Sequence, residues 1–400
     1  MYEEERPLWA GKSGEYIAAG KTNLGELIVM LSFMLYCLRY VFDYSALLTR
    51  IDLLNAVLVG LNIALPLFKI IFLQSYSLLK FIITAIIALL IGYSSVIGVN
   101  NHFLTGFLII LAMQDVELCK LVRLGFRLKI ASITIHLIIY LLMLVASPGE
   151  IHFVYRAGAG VARHYFLMGH ANVFSAFLVW TCFEYIYLNY SKIRLLHMGV
   201  IWAINLTFYA FTVSNTALVV LAAITVLLAL DKLGRGFFDK LLTVLTKYTY
   251  VILAIAFSFL AIIYTSLSPA LRVAWHAIDH ALTGRLWFGA YNYDTYGVTW
   301  LGRVLASPQV VFWQGVYFDR MVYLDNHYLA NLLHFGIIHL IVTAFVFIFF
   351  GGKMENREKL IIIAFSLYAI MQNDVTNVVV CFALLIIGKY LYLDKSREEA

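Results

Sequence analysis

Three short stretches of the sequence combine cations, imidazoles, amides and a carboxylate in a way that suits chemistry on an anionic substrate. The first ends in Arg163-His164-Tyr165-Phe166-Leu167-Met168-Gly169-His170-Ala171-Asn172 and runs directly into an apolar segment. Such a segment begins with free backbone N–H groups that favour anions, so Arg163, His170 and Asn172 are candidates to hold a negatively charged head group there. The plainer role of the same residues is interfacial anchoring and helix capping. The second stretch is Leu282-Thr283-Gly284-Arg285, whose arginine offers a planar fork that grips phosphate or carboxylate at two points. The third is Leu324-Asp325-Asn326-His327-Tyr328-Leu329. Its Asp325 is placed to accept a proton from an attacking hydroxyl. Asp and Asn are also favoured N-caps, and the two roles are compatible.

Other polar residues carry weaker signals. His276-Ala277-Ile278-Asp279-His280 puts two histidines on one helix face, yet an aspartate stands where a metalloprotease needs its glutamate. We read these as surface helix histidines and expect no metal. Cys37, Cys119, Cys182 and Cys381 lie in or beside apolar segments without metal or redox spacing, and read as packing residues. Glu184 lies deep in an apolar run toward its cytoplasmic end, where it either pairs with Lys192 or Arg194 or simply marks the end of that span. Asn373-Asp374 forms a short polar turn between two apolar runs, able to approach a site from the side.

The elements that must position these residues are membrane helices. Of 400 residues, 62% are hydrophobic and 13% charged, with a mean hydropathy of +0.86. Soluble domains are ~45–50% apolar and ~25% charged, so lipid is the implied solvent. Apolar runs predict an all-α polytopic chain with about twelve spans, near 24–42, 51–73, 81–99, 102–114, 130–146, 170–188, 198–213, 216–230, 249–267, 328–350, 360–372 and 375–392. The first 23 residues are charged and show no signal peptide. Residues 1–400 read as a single integral membrane domain, with a first outer loop at 147–169 and a large, partly helical outer loop at 268–327.

Charge sets the orientation. With the N- and C-termini cytoplasmic, every lysine falls inside, as do the clusters Lys120/Arg123/Arg127/Lys129, Lys232/Arg235/Lys240/Lys247 and Lys353/Arg357/Lys359. The net charge of +6 therefore reflects topology and not nucleic-acid binding. The basic residues left on the outer side are all arginine: Arg39, Arg50, Arg156, Arg163, Arg272, Arg285, Arg303 and Arg320. The large loop alternates such charges with Trp275, Trp287, Phe288, Tyr291, Tyr293, Tyr296, Trp300, Phe312, Trp313, Tyr317, Phe318 and Tyr323. Part of this is the aromatic belt of any membrane protein. The rest, flat rings beside hydrogen-bonding groups, suits sugars.

These motifs, in this order and on one membrane face, resemble the Wzy-type polysaccharide polymerases and related O-antigen ligases, with a GT-C-like membrane fold. The resemblance is carried by Arg163 with Gly169-His170-Ala171-Asn172, by Thr283-Gly284-Arg285 with a tract ending Tyr296-Gly297-Val298-Thr299, and by Asp325-Asn326-His327-Tyr328-Leu329 leading into Phe335-Gly336-Ile337-Ile338. Proline is frequent in the family where Ala171 stands, and Ser214-Asn215-Thr216 is a fainter match that lacks an arginine.

The resemblance implies a glycosyltransferase that joins oligosaccharide repeat units carried on undecaprenyl pyrophosphate. It would face outward from a bacterial inner membrane and work without a metal or cofactor. Substrate binding would fall to Arg163, His170, Asn172, Arg285, Asn326 and Tyr328, the two arginines holding the pyrophosphate. Asp325 or His327 would be the base. The ligases have a histidine where Asp325 stands, which points to a polymerase. A single displacement would invert the anomeric centre. Implied partners are the lipid-linked oligosaccharides, the bilayer, and chain-length regulator and flippase proteins. A flippase or transporter of lipid-linked oligosaccharides, an O-antigen ligase and a membrane acyltransferase are the alternative readings.

Overall fold

A computed structural model describes residues 9–47, 51–76, 78–97, 101–147, 153–155, 160–234, 237–305, 310–313, 316–319 and 324–392. Arg50, Arg156, Arg235, Arg320 and Tyr323 lie outside the described residues. The described chain is helical almost throughout: α1 Trp9–Tyr44, α2 Asp52–Phe72, α3 Leu78–Ile97, α4 Asn101–Leu111, α5 Leu118–Ala146, α6 Ala171–Leu188, α7 Leu195–Thr212, α8 Asn215–Leu233, α9 Phe237–Ile263, α10 Pro269–Ala281, α11 Arg285–Tyr296, α12 His327–Ala330, α13 Ile337–Phe350, α14 Asn356–Tyr368 and α15 Ala383–Leu391. Two short antiparallel ladders join β1 Val154–Tyr155 to β2 Ala162–Arg163, and β3 Val310–Trp313 to β4 Val316–Asp319. Seven described helical segments are long and apolar enough to cross a membrane: Leu24–Tyr44, α2, α5, α6, α7, α8 and Phe237–Ser266.

Helix α6 is the axis of the bundle. It is apolar on every side, the mark of a helix surrounded by protein. In its spanning window 83% of residues are buried, against 22% in α2 and in α7. Its hydroxyls are satisfied within the helix: Ser175 Oγ donates to the Ala171 carbonyl and Thr181 Oγ1 to that of Phe177. The outer helices expose leucine, isoleucine, valine and phenylalanine, including Leu53, Phe72, Leu142, Val145, Leu195 and Ile255. Such a coat is stable only against an apolar solvent.

Three expected spans are interrupted. The run at 328–350 divides into α12, a π turn at Asn331–Phe335 and α13. At the break Gly336 has φ +89° and lies against the backbone of Trp300 and Gly302, so closely that a Cβ would meet the Gly302 nitrogen at 2.4 Å. The backbone groups freed by the break are met by the segment at 299–303. Arg303 N–H donates to His334 O, and the N–H groups of Ile337 and Ile338 donate to Thr299 O and Trp300 O. The runs at 360–372 and 375–392 become α14, a 3-10 turn at Asn373–Thr376, an irregular stretch at 377–382, and α15. That stretch, Asn377-Val378-Val379-Val380-Cys381, is β-branched and poor in helix formers. The Asn377 side chain competes for the Val379 N–H.

One buried ion pair departs from the sequence reading. Glu184 pairs with Lys129, at 2.7 Å, and not with Lys192 or Arg194. Lys129 therefore belongs to the packed interior and not to the basic surface cluster. A group of acids and bases pairs near the end of the bundle opposite Arg163 and Arg285. There Lys120 meets Glu26 at 2.9 Å, Lys389 meets Glu358 at 2.8 Å, and Asn356 bridges Asp231 and Asp239.

Candidate functional site

The first motif is built on the mouth of α6. Strand β2 delivers Arg163, and Phe166, Leu167 and Gly169 turn the chain with positive φ. The turn is tied to the end of α1, where Ala46 N–H donates to Leu167 O, and it leaves room at Gly169 for the Tyr44 carbonyl. His170 is the N-cap of α6, its Nδ1 accepting the Asn172 N–H at 3.1 Å. Nδ1 is thus the acceptor and Nε2–H the donor of a neutral ring. Burial, then the Arg163 charge, hold its pKa below the ordinary histidine value, against an opposing pull from Asp325. Arg163 is buried. Its Nε donates to Thr212 O and its NH2 to Asn172 Oδ1, each at 2.6 Å. It reaches the site through Asn172, which it orients.

The second motif starts α11. Thr283 and Gly284 both have positive φ, turning the chain from α10 into α11. Asp279 Oδ1 accepts the N–H groups of Leu286 and Trp287, capping the new helix from the previous one. Burial raises the Asp279 pKa even against those two donors. One turn on from Arg285, Gly289 sits so near Leu329 that a Cβ would meet its Cδ1 at 2.3 Å. A glycine there allows α11 to lie on α12, which brings Arg285 to the third motif. The Arg285 guanidinium is held by Met371 O at 2.9 Å, Leu282 O at 3.1 Å and Thr283 Oγ1, with NH2 3.3 Å from Asp325 Oδ2.

The members of the third motif separate. Asp325 precedes α12 and is half exposed. Asn326 is the cap, its Oδ1 accepting the Leu329 N–H and its Nδ2 donating to Ile370 O. His327 is fully buried behind the site. Its Nε2 accepts from Asn331 Nδ2 at 2.9 Å, and its Nδ1 lies 3.3 Å from Asn373 Oδ1. Tyr328 is buried with its hydroxyl on Ser366 O. Tyr328 thus fixes α12 against α14 and Asn326 against the chain that follows it, and neither lines the cavity described next.

A cavity of about 380 Å³ lies where these motifs meet, lined by His170, Asn172, Val173, Thr283, Arg285, Phe288, Asp325, Met371, Gln372, Asn373 and Asp374. It unites His170, Asn172, Arg285 and Asp325 from separate motifs. It leaves Arg163 one layer back and His327 behind Asn373. One cation, two carboxylates, three amides, an imidazole and a hydroxyl converge there. Such a set can bind an anion at Arg285 and accept a proton at a carboxylate. The sequence reading named Asn373 and Asp374 only as a lateral approach, and the structure makes their turn one wall. Their signal was a polar pair at the junction of two apolar runs.

Some of the aromatic loop residues turn toward each other, while Phe288 lines the cavity and Trp300 is exposed. Tyr264 packs on Trp275 at 4.4 Å between ring centroids, Trp287 on Trp313 at 4.6 Å, and His276 lies between Tyr264 and Trp287. Trp313 Nε1 donates to Asp294 at 2.8 Å. Trp275 and Trp313 are buried, so this packing holds α10 and α11 in place. His276 and His280 are exposed on α10. No cluster of three or more potential metal ligands occurs among the described residues. Set against protein-family models, curated proteins and solved structures, the chain matches none.

Proposed function

We propose that this protein is a multi-pass membrane glycosyltransferase of about twelve spans that polymerises lipid-linked oligosaccharide repeat units, carried on undecaprenyl pyrophosphate, at its outward end. The observation that carries the reading is the single cavity shared by His170, Asn172, Arg285 and Asp325, drawn from three motifs distant in sequence. Arg285 takes the pyrophosphate as charge builds on it, Asn172 and the His170 Nε2–H supply donors, and Arg163 holds Asn172 in position. A carboxylate of the cavity takes the acceptor's proton. Asp325 is the one named by the sequence motif, and the burial of His327 behind Asn373 favours a carboxylate over the imidazole. Paired with a guanidinium, pyrophosphate is a competent leaving group, and one displacement inverts the anomeric centre.

The test is reconstitution. Protein purified in detergent and given lipid-linked repeat units should yield longer chains, and Arg285→Ala should not. Unchanged repeat units with wild-type protein reject the reading.

A second reading, a carrier of lipid-linked sugars, draws on the interrupted segment at 369–382 and the buried Lys129–Glu184 pair beside it. Broken helices and intramembrane charges are common in transporters. Movement of labelled lipid-linked sugar across vesicles without chain extension would favour it. The site's placement at one end of the bundle favours the enzyme.

A further inference from the structure

The cavity holds two carboxylates in unlike settings. Asp325 is ion-paired with Arg285 and half exposed. Asp374 stands on the 3-10 turn Asn373–Thr376, and its side-chain hydrogen bond comes from Gln372 Nε2 at 3.3 Å. No described lysine or arginine forms an ion pair with Asp374. The titratable and charged groups around it are Asp325, Arg285 and His170 in the same cavity, His102 of α4, Tyr40 and Tyr44 of α1, and Tyr368 of α14. One carboxylate is therefore committed to a cation and the other is not.

We propose that Asp374, and not Asp325, removes the proton from the attacking acceptor hydroxyl, while Asp325 keeps Arg285 aimed at the leaving group. The assignment rests on the polymerase reading above. Protonating Asp325 would dissolve its ion pair when the guanidinium is needed on the pyrophosphate. Protonating Asp374 costs no such contact. In the step, the acceptor oxygen bonds to the anomeric carbon as its proton passes to Asp374. The bond from that carbon to the pyrophosphate oxygen breaks, and its electron pair leaves with the pyrophosphate. Asp374 then returns its proton to water in the cavity.

Burial supports this division. It raises the Asp374 pKa above the ordinary aspartate value, helped by Asp325 and opposed by the Gln372 hydrogen bond and His102. A carboxylate so raised is a better base near neutral pH.

The experiment measures chain extension against pH, together with donor binding, for wild type, Asp374→Asn, Asp374→Glu and Asp325→Asn in detergent. Asp374→Asn should bind donor normally, lose about 10²–10⁴-fold in rate and lack the acid limb of the wild-type profile. Asp374→Glu should recover part of the rate. Asp325→Asn should keep the acid limb and bind donor more weakly. Wild-type turnover in Asp374→Asn overturns the assignment, as does an acid limb that vanishes in Asp325→Asn instead. Loss of donor binding in both Asp374 variants also overturns it, because the residue is then structural. A wild-type protein that extends no chains rejects the polymerase reading itself, and an active wild type with an indifferent Asp374 rejects only this assignment.

Discussion

Arg285 and Asp325 stand 40 positions apart in the chain, yet the guanidinium NH2 and the carboxylate Oδ2 lie 3.3 Å apart. The pair is brought together by backbone and not by its own attraction. Asp279 caps α11, Gly289 admits Leu329, and Asn326 ties α12 to Ile370. With the Asp325 carboxylate half exposed, the pair contributes little to stability, so its placement is better understood as preparation of the site.

Arg285→Ala should therefore leave folding nearly intact and lower chain extension by about 10²–10³-fold, the usual effect of losing a charge aimed at a transition state. Arg285→Lys should not restore the rate. Lysine's single ammonium cannot reach Met371 O, Leu282 O, Thr283 and Asp325 together. Initial rates on lipid-linked substrate, with melting temperature in detergent as the folding control, decide this. A lysine variant with wild-type rates would show that only charge matters.

Arg163 and Asn172 should act as one unit. The arginine donates to Asn172 Oδ1 at 2.6 Å and does not line the cavity. Arg163→Ala and Asn172→Ala should each lower the rate, and the double variant should be little worse than either. Coupled residues deviate from additivity by about 0.5–3 kcal/mol. Fully additive losses in a double-mutant cycle would mean that Arg163 touches substrate independently.

How much of this was legible in the sequence follows from the range of each force. Apolar runs report local transfer from water to lipid, so the all-α class and the seven long apolar helices were legible in the sequence. The break at Gly336 lies against a distant partner, Trp300, and the stretch at 377–382, although its β-branched run is a local signal, is closed by Lys129 from far away in the chain. The same holds for Glu184, whose partner is 55 residues away and not among the nearby bases. Composition also cannot tell a ring facing solvent, as Trp300 does, from one facing another ring, as Trp275 does. The three-residue separation of Asp325 from Tyr328 likewise hid that the first lines the cavity and the second anchors to Ser366.

Asp374 should also impose a pH dependence on stability. Its folded-state pKa is raised, chiefly by burial. Its contribution is thus fully present below the unfolded aspartate value of about 3.9 and is lost as pH rises through the higher folded value. At neutral pH the half-buried charge destabilises the fold, so Asp374→Asn should melt higher than wild type there and the difference should close on acidification. Thermal unfolding in detergent from acid to neutral pH measures it. A variant that melts lower at neutral pH would mean that the charge is compensated.

The Lys129–Glu184 pair should be essential in one direction only. The ammonium donates to Glu184 Oε1 at 2.7 Å and to Val380 O at 2.8 Å, and both side chains are almost fully buried. That carbonyl belongs to the irregular stretch which continues back to Asn373 and Asp374, so the lysine links the interior of the bundle to one wall of the site. Lys129→Met strands a buried carboxylate and uncaps Val380, a loss of about 3–5 kcal/mol by comparison with broken buried pairs. Adding Glu184→Gln removes the stranded charge and should restore most of the melting temperature. It cannot restore the cap on Val380, so chain extension should stay low in the double variant. Melting and rate measured on the same preparations separate the two effects. If the double variant recovers activity along with stability, Val380 needs no ammonium and the wall is held by packing alone.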